Sequence, residues 1–217
     1  MKIAAVNTSP RTNWNTASLV QAAARGAIAE GAEVQYFDLY KQDAFTGCVS
    51  CFGCKLEPNL GKCVCRDGLY PVLEAIREAD AVIIGSPNYL GQPNAGYHAL
   101  MERFVFPCIS YKKEQRSYHT DSAPVLFIMT SNVPDNGYEE GAYAAMIAQN
   151  KRWLDACIGP AKVFIYGNTL QTDEYERYDW TMFDVEDKRA QRETVYPAKL
   201  EEAFELGRQL ASGGEWA

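Results

Sequence analysis

Several signatures of large protein classes are missing from this sequence. It contains neither a Gly-x-Gly-x-x-Gly nor a Gly-Lys-Ser/Thr motif, which disfavours an ordinary Rossmann dehydrogenase and a P-loop NTPase. Only two histidines are present, His98 and His119, and no Ser-His-Asp order is apparent. No pair of carboxylates and no activated nucleophile stands out either. We therefore predict that no side chain of this protein is itself catalytic.

Long apolar runs and basic runs are also missing. No window approaches the roughly 20 apolar residues that a membrane-spanning helix needs, and residues 1–6 resemble a strand rather than a secretory signal. Lys and Arg total 21 against 28 Asp and Glu, so the net charge is -7, and no basic run can neutralise a phosphodiester backbone. These absences predict a cytoplasmic protein that binds neither nucleic acid nor membranes.

What is present is a regular alternation of strand-length apolar runs with segments of helical periodicity. It predicts one domain over residues 1–217, an α/β doubly wound parallel sheet of five strands with helices on both faces. The uninterrupted run 81–85 is typical of a strand buried on both faces of such a sheet. The other predicted strands lie at 3–6, 33–39, 124–130 and 162–166.

A C-terminal extension at 168–217 follows the last predicted strand. Helical spacing returns at 198–210, but 168–196 is polar and aromatic without clear periodicity. A lid, a subunit contact and an irregular surface excursion are all consistent with this stretch.

The loop after the first strand is crowded with donors that suit a phosphate. In a doubly wound sheet the ligand crevice lies at the carboxyl ends of the strands, and residues 7–16 occupy that position immediately before a helix. The N–H groups of a helix N-terminus bind anions, and side-chain donors are available from Ser9, Arg11, Asn15 and Thr16. The alternative is that these residues merely cap the helix and form a turn.

Two segments carry a resemblance to a known family. Ser9-Pro10-Arg11 followed by Asn15-Thr16 resembles the phosphate-loop signature of the NADPH-dependent FMN reductase and flavodoxin-like superfamily, with Trp14 standing where many relatives have Gly. Ser86-Pro87-Asn88-Tyr89-Leu90-Gly91 resembles the Ser-Pro-x-Tyr-x-Gly segment of the same family. The resemblance covers roughly residues 2–166. It implies a flavodoxin-like fold with strand order 2-1-3-4-5 and bound FMN.

The resemblance also implies roles for individual residues. Ser9, Arg11, Asn15 and Thr16 would bind the FMN phosphate. The isoalloxazine ring would lie against the second segment, where Pro and Gly shape a backbone that comes close to the ring; its candidate residues are Pro87, Asn88, Tyr89, Leu90 and Gly91. Thr130 and Ser131 would contact the ring or the ribityl chain, although many relatives carry glycines there. An ordinary turn with an exposed Tyr is the alternative for the second segment.

Five of the seven cysteines lie between Cys48 and Cys65, in a loop at 47–67. In a cytosolic chain such a cluster indicates metal or redox chemistry more than disulfides. Thiols spaced by two residues can bind one face of a [4Fe-4S] cluster, which makes Cys48, Cys51, Cys54 and Cys63 the candidate ligands, with Cys65 as an alternative fourth. The family includes iron-sulfur flavoproteins, in which the last gap is shorter. A tetrahedral zinc site and metal-free thiols remain alternatives.

The resemblance implies a function as well. A reductase of this family would pass electrons from NAD(P)H through FMN to a small acceptor, such as a quinone, a second flavin or another electron carrier, and the flavin would supply the chemistry. One alternative is an FMN electron-transfer protein, with or without an iron-sulfur cluster, that turns over no pyridine nucleotide. Another is a zinc-bearing interaction module. Relatives commonly assemble, so a homodimer or homotetramer is expected.

Overall fold

The computed structural model describes residues 1–119, 122–214 and 216, and within them strands alternate with helices. The strands are β1 (Lys2–Asn7), β2 (Glu33–Asp38), β3 (Ala81–Tyr89), β4 (Gln92–Pro93), β5 (Val125–Thr130) and β6 (Ala161–Tyr166). The helices are α1 (Asn15–Ala29), α2 (Tyr70–Glu78), α3 (Ala95–Cys108), α4 (Gly141–Cys157), α5 (Val185–Thr194) and α6 (Tyr196–Ala211). None of the described helices combines the length and the apolar character needed to cross a membrane.

The five long strands form one parallel sheet in the order β2-β1-β3-β5-β6. Counted without the short β4, this is the predicted order 2-1-3-4-5, and the flavodoxin-like sheet is confirmed. All six residues of β5 are buried, as expected of a central strand covered on both faces. The added strand β4 pairs antiparallel with the end of β3 and makes a hairpin there. Two residues are too short for a periodic signal, so the sequence pattern did not predict it.

Alternating side chains of the strands build a core on each face of the sheet. In β1, Ala4 and Val6 pack with α2, α3 and α4, whereas Ile3 and Ala5 pack with α1 and α6. Cys108 and Cys157 are buried in the first of these cores, where they pack as small apolar side chains. The doubly wound arrangement therefore covers both faces of the three inner strands, and their carboxyl ends are where a ligand crevice can form.

The C-terminal extension is anchored to the rest of the chain through α6. A Cβ at Gly26 of α1 would lie 1.9 Å from the Phe204 carbonyl oxygen, and one at Gly207 of α6 would lie 1.9 Å from the Ala23 carbonyl oxygen. The two helices therefore cross at backbone contact distance, which only glycine permits at these positions. Beyond α6, Trp216 is buried and donates its Nε1 hydrogen to the carbonyl oxygen of Val125 at 3.1 Å.

Segment 47–67 contains little regular structure apart from a short 3-10 turn at Gly53–Lys55. In the extension, α5 lies inside the stretch that showed no periodicity, and the Asp184 side chain caps it by accepting from the Asp187 N–H at 3.0 Å. That residues 1–217 form a single domain, with 47–67 as a loop and 168–217 as an extension, stays a prediction.

Candidate functional site

A cleft of about 270 Å³ lies at the carboxyl ends of β1, β3 and β5. It brings together all the predicted flavin-site residues except Leu90 and Gly91: Ser9, Arg11, Asn15, Thr16, Pro87, Asn88, Tyr89, Thr130 and Ser131. The crossovers of the doubly wound sheet place these loops side by side, although they are far apart in sequence. Whether these residues bind a cofactor stays a prediction, but the structure assembles them at one place.

The N-terminus of α1 forms one end of the cleft. The Ser18 N–H donates to the Trp14 carbonyl oxygen at 2.8 Å, so the N–H groups of Asn15, Thr16 and Ala17 precede the first intrahelical bond. The Trp14 side chain does not cap them. These N–H groups and the helix dipole give this end of the cleft a partial positive charge, which favours an anion.

Buried polar side chains form the floor of the cleft. Ser9, Asn15, Thr16, Thr130 and Ser131 are each no more than 5% exposed. The Thr16 and Thr130 Oγ1 atoms lie 2.6 Å apart, which joins the first turn of α1 to the end of β5. The Ser9 Oγ accepts from the Arg11 N–H at 3.1 Å. Because burying hydroxyl and amide groups is costly without partners, this density of polar groups suits a polar ligand.

The C-terminal extension covers the loop after β1. Arg11 donates from Nη1 to the Gln171 carbonyl oxygen at 2.6 Å, and both Trp14 Nε1 and Asn15 Nδ2 donate to the Leu170 carbonyl oxygen, at 3.0 and 2.8 Å. Burial lowers the pKa of Arg11 from its ordinary value, and a guanidinium remains protonated nevertheless. We call residues 169–172 the strap, because three side-chain donors of the loop hold its backbone.

The loop after β3 divides into a part inside the cleft and a part outside it. Asn88 donates from Nδ2 to the Tyr138 hydroxyl at 2.7 Å and accepts at Oδ1 from the Gly91 N–H at 2.9 Å. Leu90 and Gly91 have φ values of 55° and 80° and form the two-residue turn between β3 and β4. They lie at the hairpin tip, with Leu90 fully exposed, so their predicted contact with a ring is not part of this cleft.

Five further residues line the cleft: Trp14, Asn132, Thr169, Gln171 and Trp180. Trp14 and Asn132 lie in or next to the predicted segments, whereas Thr169, Gln171 and Trp180 carry no local sequence signal. The Asn132 Oδ1 is buried and has no hydrogen-bond partner among the described residues. Trp180 stacks on Tyr178, with ring centroids 4.6 Å apart and planes at 16°. The aromatic composition of 168–196 was the only available signal for Trp180, and nothing in it gave the position.

The five cysteines of the 47–67 loop line a second, smaller pocket, whose wall is apolar: Phe52, Val64, Phe106 and Pro107. Arg103, 1% exposed, donates from Nε to the Cys63 Sγ at 3.3 Å and forms an ion pair with Asp67. Burial raises the pKa of the Cys54 and Cys65 thiols. All five are free thiols.

These thiols suit a metal-sulfur centre in their chemistry, because soft sulfur ligands in a tight loop beside a fixed cation are the donors that such centres use. No group of three His, Cys, Asp or Glu residues in 1–119, 122–214 and 216 is arranged to hold a metal ion. The ligand set Cys48, Cys51, Cys54 and Cys63 stays a prediction.

Comparison with known proteins supports the same family. The chain is similar to an iron-sulfur flavoprotein of Methanocaldococcus jannaschii, 36% identical over 103 residues, which are 48% of this chain and 51% of the relative. An iron-sulfur flavoprotein of Archaeoglobus fulgidus is 32% identical over 149 residues, which are 67% of this chain and 65% of the relative. The chain thus spans about half to two thirds of the length of these curated relatives.

Solved structures show the same fold at low identity. The NAD(P)H:quinone oxidoreductase from Methanothermobacter marburgensis superimposes with a TM-score of 0.69 at 16% identity, covering 99% of both chains. An azoreductase from Bacillus anthracis superimposes with a TM-score of 0.67 at 15% identity, covering 96% of this chain and 99% of the other. The family model described as NADPH-dependent FMN reductase matches residues 1–167. The chain therefore belongs to the NADPH-dependent FMN reductase family.

Proposed function

We propose that this protein is an FMN-dependent oxidoreductase that passes electrons from NAD(P)H through bound FMN to a small acceptor. The observation that carries the proposal is the cleft at the strand ends, where the two loops with family resemblance meet. Its position agrees with the rule that ligands of doubly wound sheets bind at a topological switch point. The flavin would supply the redox chemistry, and the protein would bind and orient it.

The phosphate end of the cleft suits a dianion. The first N–H groups of α1, the hydroxyls of Ser9 and Thr16, and the Asn15 amide can all donate to phosphate oxygens. Arg11 adds a charge-assisted bond. In the described structure Arg11 and Asn15 donate to carbonyl oxygens of the strap, so binding would exchange those neutral acceptors for an anionic one.

The remaining lining of the cleft suits a flat ring with polar edges. Pro87 and Tyr89 offer apolar surface, and Trp180 offers a second aromatic side chain from the extension. The buried Asn132 Oδ1 has no partner among the residues that the structure describes and can accept from a ring N–H or a ribityl hydroxyl. Thr130 and Ser131 also line the cleft and would contact the ring or the ribityl chain. No acid or base is needed from these residues.

For the acceptor we propose a planar molecule, a quinone or a second flavin. The support is limited to the fold, which this chain shares with a quinone oxidoreductase and an azoreductase. Tyr89, Tyr178 and Trp180 are each 42–48% exposed and present aromatic surface to solvent. Such a rim suits stacking of a planar acceptor. We also propose a cytoplasmic homodimer or homotetramer.

A second function is favoured by the pocket of five thiols together with the names of the curated relatives. If that pocket holds a [4Fe-4S] cluster, the protein would exchange single electrons with a redox partner protein. Electrons from FMN would then leave through the cluster rather than go to a small molecule.

Anaerobic titration of the purified protein tests both functions. We expect one FMN per chain, bleached by NADPH or NADH and restored by a quinone. Light-driven reduction serves as the control that the flavin is reducible. Flavin that light bleaches but neither pyridine nucleotide bleaches would support the electron-transfer alternative. Protein that binds no FMN when reconstituted would refute the proposal.

A further inference from the structure

Arg192 of α5 lies beyond the part of the chain that matches the family model, yet it reaches the phosphate loop. Its Nη1 donates to the Asn15 Oδ1 at 2.8 Å. Its guanidinium lies 3.7 Å from the centre of the Tyr196 ring and 5.4 Å from that of Trp14. Arg192 therefore touches the first residue of α1 and the residue before it.

The bond from Arg192 decides how the Asn15 amide is oriented. A guanidinium only donates, so the atom of Asn15 that faces it must be the oxygen. The Asn15 Nδ2 is then turned the other way, and it donates to the Leu170 carbonyl oxygen at 2.8 Å. Asn15 is 5% exposed and lines the cleft. Its donor end is thus fixed on the strap carbonyl, which is the acceptor that a bound anion would replace.

Two cations are brought together at the positive end of a helix. Arg11 and Arg192 lie 4.1 and 5.4 Å from the centre of the same Trp14 ring. Within the described part of the chain, neither has a carboxylate oxygen within 4.0 Å. The first turn of α1 contains no acidic residue. Like charges beside a helix N-terminus repel one another unless an anion joins them.

We propose that Arg192 is a positioning residue of the phosphate subsite. It holds the Asn15 amide with its donor end toward the anion, and it adds a second positive charge to that end of the cleft. The inference rests on the proposed function, because the anion in question is the phosphate of FMN. It also gives the C-terminal extension a part in cofactor binding.

Flavin binding by Arg192→Met tests the proposal, since methionine keeps the length and apolar stem but neither donates nor carries charge. FMN and riboflavin are titrated separately into flavin-free protein, and affinity is read from quenching of flavin fluorescence. Riboflavin lacks the phosphate and serves as the matched ligand. We expect Arg192→Met to weaken FMN at least about fivefold and to leave riboflavin within about twofold, because only a charge-assisted contact is lost.

Two further variants make the result specific. Arg192→Lys keeps a charge and a donor and should restore FMN affinity to within about threefold of wild type. Arg189→Met is the control on the same helix, where the guanidinium bonds Glu176 and Glu186 instead, and both flavins should bind normally.

The inference is overturned if Arg192→Met binds FMN as tightly as wild type. It is also overturned if FMN and riboflavin weaken equally, because that result indicates a structural role alone. Failure of the proposed FMN function would give a different result, which is seen in the wild-type protein. A wild-type protein that binds both flavins equally has no phosphate subsite in the cleft, and one that binds neither is not a flavoprotein.

Discussion

At the scale of single residues, hydrogen-bond donors of the loop after β1 and carbonyl acceptors of the strap define the cleft. Ser9, Asn15 and Thr16 are buried polar residues, and Arg11 is held across them by the strap. Their types and their position before a helix were compatible with a phosphate site, and the family resemblance turned that possibility into a prediction. The acceptors they use in the described structure, the Leu170 and Gln171 carbonyl oxygens, could not be predicted from that loop.

The double variant Ser9→Ala/Arg11→Ala should weaken FMN binding at least about tenfold, since each charge-assisted bond contributes roughly 1.5 to 3 kcal/mol. Riboflavin affinity should change little, which equilibrium titration of both flavins measures. Asn13→Ala is the control, because Asn13 is exposed in the same loop. Equal FMN affinity in the double variant and the control would contradict the assignment of the phosphate to this loop.

Replacement of Gly91 by Val tests the effect of backbone strain at the hairpin tip, because the new side chain makes no close steric contact there. A Cβ there would meet only Tyr143, at 4.0 Å, so space is available, but the φ of 80° is unfavourable for a β-branched residue. We expect a loss of about 1 to 3 kcal/mol in the free energy of unfolding and weaker flavin binding, because Asn88 bonds the Gly91 N–H and lines the cleft.

Gly31→Val is the matched control for Gly91→Val. Gly31 has a φ of 91° and open space around its Cβ position, and it lies between α1 and β2. Urea denaturation should show similar losses for both variants, while only Gly91→Val weakens flavin binding. If Gly91→Val binds FMN as Gly31→Val does, the hairpin after β3 does not shape the ring site.

At the scale of elements, periodicity decided what the sequence could predict. The five parallel strands were predicted correctly because their apolar runs and alternation have the period of a strand, and their order was predicted from the family resemblance. The strand β4 is two residues long, and α5 buries only Lys188, so neither carries an apolar stripe. Short or solvated elements depend on their tertiary contacts, which no local window contains.

The close crossing of α1 and α6 gives a prediction at this scale. Gly207→Ala should lower the free energy of unfolding by about 1 to 3 kcal/mol, because the new Cβ would overlap the Ala23 carbonyl oxygen 1.9 Å away. The higher helix propensity of alanine opposes this by only about 1 kcal/mol. Gly214→Ala is the control, since its nearest new contact, Ser212 Oγ, is at 3.6 Å. Equal unfolding curves for the two variants would mean that α6 is not packed at backbone distance.

At the scale of the whole molecule, the cleft is formed by two groups of segments, and only one of them has a recognisable sequence motif. The loops after β1 and β3 carry their own signatures, so their meeting at the strand ends followed from the topology. Leu170, Trp180 and Arg192 reach the same place from the extension, and Asn15 is separated from Leu170 and Arg192 by 155 and 177 positions. No motif in 168–196 indicates that these residues reach the cleft, so their position there could not be predicted from the sequence alone.

The cysteine loop determines whether the molecule contains one redox centre or two. If Cys48, Cys51, Cys54 and either Cys63 or Cys65 are ligands, protein purified without oxygen should contain about four irons and four acid-labile sulfides per chain. Cys51→Ala should then lose the iron but retain FMN, because the flavin contacts belong to other loops. Metal and sulfide analysis, with flavin absorbance measured on the same sample, checks both expectations.

Three further variants complete this experiment. Cys157→Ala is the control, since Cys157 is buried in α4 and belongs to the core rather than to the thiol pocket. Cys63→Ala and Cys65→Ala identify the fourth ligand, because only loss of the true ligand removes iron. Arg103 donates a hydrogen bond to the Cys63 Sγ, which orients that thiol and favours Cys63 as the fourth ligand.

One zinc per chain would instead indicate a structural tetrahedral site. Protein with neither metal, and with these thiols titrating freely, would remove the second redox centre and leave FMN as the sole route for electrons.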